Sequence, residues 1–166
     1  MFSLPSPLHP IIVHMPMALT VLIPLFAIGA LLAIHRRARV GPAWGLTIGM
    51  LALLLVSGWF ALQTGEDEED KVERFVSEDA VEEHEEAGTQ FVYVAGAVLL
   101  LSGVGLIRGR TGAVARVVVT VATIGLLGMG YNVGHSGGGL VYGGGAGDAY
   151  SSTAVAGAAG EDSPED

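Results

Sequence analysis

The chain has 166 residues, 51% hydrophobic and 15% charged, with a mean hydropathy of +0.55, too apolar and too uneven for a water-soluble domain of this length. Its formal net charge of −9, together with basic segments too short for a nucleic-acid reader, excludes nucleic acid as a partner. The absence of cysteine removes disulfides, iron–sulfur clusters and thiolate metal sites, leaving imidazole and carboxylate as the ligand chemistry.

Charge is sorted along the chain. Arg36, Arg37, Arg39, Arg108, Arg110 and Arg116 make up six of the eight basic residues, and no acid lies among them. These clusters fall between apolar runs long enough to cross a bilayer. The positive-inside bias therefore predicts four spans in the cytoplasmic membrane, both basic loops in the cytoplasm and both termini on the outer side. The expected fold is an all-α membrane protein, a four-transmembrane-helix up-down bundle over 8–144 with an amphipathic helix in its outer loop, followed by a disordered acidic tail over 145–166.

The first run, 10–34, has no Lys or Arg before it, which favours a retained span over a cleaved signal peptide. Pro10 suits a first helical turn. Pro16 and Pro24 lie inside the run, where each removes a backbone N–H, and the greatest bend is expected near Pro24. The second run, 43–62, carries Trp44 and Trp59 at its two ends, the depth interfacial indoles prefer. Gly45 and Gly49 form a small-residue pair suited to close helix packing.

In the outer loop, 64–88, Val72, Phe75, Val76, Ala80, Val81, His84, Ala87 and Phe91 recur at helical spacing, predicting an amphipathic helix that runs into the third span, 89–107. His84 belongs to the apolar stripe, although Glu82, Glu83, Glu85 and Glu86 surround it. The fourth run, 113–133, places Arg116 near enough to the inner surface to snorkel. Gly125, Gly128, Gly130 and Gly134 lighten its outer half, for tight packing or to make room for a bulky group. The following segment, Gly137 to Tyr142, is expected to fold back over the outer end.

This threading gathers His9, His14, Thr64, Gly65, Glu66, Asp67, His84, Asn132 and His135 at the outer face, whereas His35 sits among the arginines as a bystander. A single interfacial histidine is ordinarily an amphipathic side chain, but three from different helices at one depth suggest a site. His9 and His14 are five positions apart, about 140° around a helix, so only one faces the bundle. His14 is the expected one, because His9 precedes a proline and is expected to cap.

Two cofactor chemistries suit such a layer. A histidine pair on facing helices can ligate haem b, and His14, His84 and His135 with Glu66 or Asp67 can bind a zinc or copper ion. Only Lys71 and Arg74 are available to haem propionates, which counts against haem. The light half of span four and the aromatics Trp59, Phe60, Phe91, Tyr93 and Tyr131 count for it. The chain has no HExxH, Walker loop or GxSxG turn, so a redox or binding subunit is expected in preference to a stand-alone enzyme. A structural subunit whose histidines only pack is the third reading.

The stretch from His9 to Leu19, HPIIVHMPMAL, resembles the opening of the DUF2231 predicted membrane proteins. Thr64-Gly65, His84 and the run from Gly134 through His135 and Gly138 to Tyr142 extend the resemblance over about 8–144, with His9, Pro10 and Pro16 among the matching positions. Met15 departs from the aromatic usual there, and Gly143-Gly144 replaces the usual His-Gly. The resemblance implies a site at His14, His84 and His135. Its likeness in layout to small membrane haem proteins, and to modules joined to c-type cytochrome domains, implies electron transfer or redox sensing with a c-type cytochrome or another redox subunit. In an up-down bundle the first and third spans lie diagonally, which makes His14 and His84 the expected axial pair and His135 a supporting or alternative ligand.

Overall fold

The structure is a computed structural model and describes residues 8–147. The described chain forms α1 (His9–Ile12), α2 (His14–His35), α3 (Val40–Glu66), α4 (Glu69–Val72), α5 (Glu78–Val104) and α6 (Arg110–Tyr142). Four stretches, His9–His35, Val40–Glu66, Glu78–Val104 and Arg110–Tyr142, are long and apolar enough to cross a membrane. They pack as an up-down bundle in which α3 and α6 flank α2, and the same two helices flank α5, leaving α2 and α5 diagonal.

The burial pattern is that of a membrane bundle. Ile23, Ala27, Leu51, Leu54, Ala95, Val119 and Leu126 form a narrow core, while other apolar side chains such as Leu25, Leu100 and Val121 face outward. Thr20, Ser57, Thr120 and Thr123 are buried, and each donates to a carbonyl three or four residues back on its own helix. That satisfies the hydroxyls where water is absent.

Helix α5 starts with Glu78 and Asp79, acids that complement the positive end of its dipole, and runs unbroken through His84 into the span, as the stripe predicts from Ala80 onward, whereas Val72, Phe75 and Val76 lie before it. Elsewhere local expectation gives way to tertiary structure. The first span is interrupted at Val13, between α1 and α2, and α2 continues through Pro24. The break leaves Pro16 within the first turn of α2, where a missing N–H costs little. Helix α6 continues through Gly137, Gly138 and Gly139 instead of folding back. Only after Tyr142 does the chain turn, with the Ala146 N–H bonded to the Leu140 carbonyl and Ala146 buried. The tail over 148–166 lies outside the described residues.

At the arginine end, two side chains expected at the interface turn inward. Trp44 is fully buried and donates its indole N–H to the Ser102 carbonyl at 2.9 Å. Arg116 is buried and donates to the Gly105 carbonyl. Both add donors at the C-terminus of α5, where the Ser102 carbonyl also accepts the Gly105 N–H at 3.0 Å and the negative end of the helix dipole attracts positive charge. Within the chain, nothing lies within 4 Å of a Cβ built at Gly45 or Gly49, so the expected close helix approach is not made there.

Candidate functional site

At the end opposite the arginines the helices enclose a cavity of about 610 Å³. Its walls are mainly apolar, with Val13, Met17, Val81, Phe91 and Val92 among them, and Gly130, Gly134, Gly137 and Gly138 line it along α6. Of the aromatics expected around a macrocycle, only Phe91 takes part. Trp59, Phe60, Tyr93 and Tyr131 face outward.

Two imidazoles enter from diagonal positions. The His9 Nδ1 lies 2.9 Å from the Ala61 carbonyl and 3.3 Å from Thr64 Oγ1, so its N–H must donate to α3. The His84 Nδ1 lies 2.8 Å from Ser136 Oγ, whose hydroxyl donates to the Val133 carbonyl at 3.0 Å. This pair of contacts suits a proton on His84 Nδ1, as the Ala61 carbonyl requires on His9 Nδ1. The Nε2 lone pairs have no hydrogen-bond partner among the described residues. The ring centroids are 6.4 Å apart and the planes meet at 89°.

Close backbone approach makes this possible. A Cβ at Gly65 would lie 3.3 Å from His9 Cε1, and one at Gly137 would lie 2.9 Å from His84 Cε1. Glu68 is buried and accepts the Leu8 N–H at 2.8 Å, tying the connection after α3 to the residue before His9. This fixes the entry of α1.

The family model for predicted membrane proteins (DUF2231) matches residues 5–149. This chain belongs to the DUF2231 family. No curated protein and no solved structure matches it.

The DUF2231 motif positions distribute unevenly around the cavity. His9, Pro10, Pro16, Gly65, Gly134 and Gly138 line it, and Thr64 is buried behind His9. Of the two N-terminal histidines it is His9 that meets His84, while His14, the one expected to face inward, borders the cavity but is exposed. His135 is exposed and stacks on Tyr131 on the outer surface of α6, with centroids 5.9 Å apart. Glu66 lines the cavity and accepts from Gln63 at 3.2 Å, Asp67 is exposed away from it, and His35 is at the arginine end. Among the described residues, no group of three or more His, Asp or Glu is arranged to hold a metal ion.

Ser136, Glu68 and the inward role of His9 were missed by sequence reasoning. One usable signal was the spacing of Gly130, Gly134, Gly137 and Val141. Counted along a continuous helix it defines the cavity face and puts His135 off it. The assumed fold-back concealed that count.

Proposed function

We propose that this multi-span membrane protein is a redox subunit that holds haem b between His9 and His84, for electron transfer or redox sensing. The His9–His84 pair carries the reading. The two rings enter from diagonal helices with centroids 6.4 Å apart, so His9 and His84 would be the residues to hold the haem iron. Both rings have Nδ1 engaged and Nε2 available, the state a ligating histidine adopts when a partner fixes its orientation. The cavity volume falls within the roughly 300–1,000 Å³ of ligand pockets, and its apolar and glycine walls suit a flat macrocycle. Haem, when bound, supplies one-electron chemistry.

The surrounding residues then set the electrostatics. Glu66, Glu68, Glu69 and Glu85 line the cavity, and neither Lys nor Arg does so among the described residues. Propionates would therefore have to be carried in water, and the acids would favour the oxidised, more positive state. A bare zinc or copper ion would need further ligands, which the described residues do not bring to the pair. The arginine end is proposed to face the cytoplasm, and the acidic loop over 66–86 to meet a basic electron carrier such as a c-type cytochrome.

The test is the visible spectrum of the protein purified from a haem-replete host. A Soret band abolished by His9→Ala and by His84→Ala, but kept in His14→Ala and His135→Ala, is the expected result. A band that survives His9→Ala, or no band in the unaltered protein, overturns the reading.

A further inference from the structure

At the opposite end of the bundle, the connections between α2 and α3 and between α5 and α6 leave a cleft of about 510 Å³, lined by Arg39, Val40, Gly41, Pro42, Leu106 and Arg108. We propose that this cleft binds the phosphodiester headgroup of an anionic membrane lipid. Arg39 and Arg108 line it from separate connections, and neither guanidinium makes an ion pair or hydrogen bond among the described residues. Each therefore keeps its forked donors for an oxyanion.

The backbone adds to this demand. Arg39 occupies the N-cap of α3, which has no side-chain cap and no acid in its first turn. A cation at the positive end of a helix dipole is unfavourable unless an anion neutralises it. Beside the guanidiniums, Val40, Pro42 and Leu106 supply an apolar wall, and Leu106 is 46% exposed. Phosphate alone has no use for such a wall, whereas an acyl-glycerol does. Basic pockets between membrane helices recruit acidic headgroups by this combination.

The experiment is native mass spectrometry of the full chain in neutral detergent, titrated in parallel with phosphatidylglycerol, phosphatidylcholine and inorganic phosphate. Expected is preferential binding of phosphatidylglycerol, weakened about tenfold or more by Arg39→Gln with Arg108→Gln. Arg36→Gln with Arg110→Gln removes the same charge outside the cleft and is expected to change affinity less than about threefold. The charge-keeping pair Arg39→Lys with Arg108→Lys retains most of the binding, separating lost charge from lost fold. Equal losses in the two glutamine pairs, or no preference over phosphatidylcholine, overturn the proposal. Competition by inorganic phosphate overturns the lipid assignment and leaves a simple anion site.

Discussion

Ser136 Oγ sits 2.8 Å from His84 Nδ1 and 3.0 Å from the Val133 carbonyl, an arrangement that favours a proton on the ring nitrogen donated to the serine oxygen. Replacing Ser136 by Ala removes that acceptor from a partly buried donor and should cost about 1–2 kcal/mol of stability. Thermal unfolding in detergent measures the loss, and nitrogen NMR of His84 should show mixed tautomers. A ring still wholly protonated on Nδ1 would remove Ser136 from the site.

Neighbouring glycines on α6 should respond oppositely to one added methyl group. At Gly137 a Cβ would lie 2.9 Å from His84 Cε1, whereas at Gly138 nothing lies within 4 Å. Gly137→Ala should displace the imidazole and lower the melting temperature. Gly138→Ala should raise it, since alanine is better than glycine in a helix by about 1 kcal/mol. Equal shifts for the two variants would refute the close approach.

Trp44→Phe tests the arginine end. The change removes the 2.9 Å bond to the Ser102 carbonyl, which keeps the Gly105 N–H at 3.0 Å, and should destabilise by about 0.5–1.5 kcal/mol. Trp59→Phe, at an exposed indole, should change stability by less than about 0.5 kcal/mol. Matched unfolding curves for the two variants decide between buried cap and interfacial anchor.

Because the chain has no cysteine, single cysteines can report its topology directly. Cysteines at positions 38 and 109 should be protected from an impermeant thiol reagent in intact cells, and cysteines at 73 and 150 should be labelled. The reverse pattern would place the histidine layer in the cytoplasm.

If electrons pass to a soluble basic carrier, the association rate should fall steeply as ionic strength rises, because screening shortens the reach of the acids between Glu66 and Glu86. Stopped-flow mixing over a salt series measures it. A flat profile would leave those acids as a solvated surface without a steering role.

The membrane bundle was legible because hydropathy and arginine placement need no tertiary information. His84 was legible as well, since its apolar neighbours recur at helical spacing through a charge-rich stretch. The choice between His9 and His14 was not. Their angular separation permits one inward histidine, but which one depends on the break at Val13 and on Glu68, an acceptor 60 residues from Leu8. Ser136 was hidden for a related reason: three successive glycines read locally as a loop, yet α6 runs through them, with His84 of α5 against Gly137. Trp44 and Arg116 follow the same logic, because only the folded chain brings them to the carbonyls they close.

Helix α6 has 33 residues, about 50 Å of helix against a hydrocarbon layer of roughly 30 Å. If the hydrocarbon boundary lies at Arg116, the rise of about 30 Å to Ser136 brings Ser136 to the opposite boundary, where acyl chains give way to headgroups. The histidine layer would then sit where hydrophobic mismatch acts: longer-chain lipids would draw it into oil, and shorter-chain lipids would lift it into water. Acyl-chain length in a reconstituted bilayer is then a physical control over solvent access to His84, independent of any change in the protein.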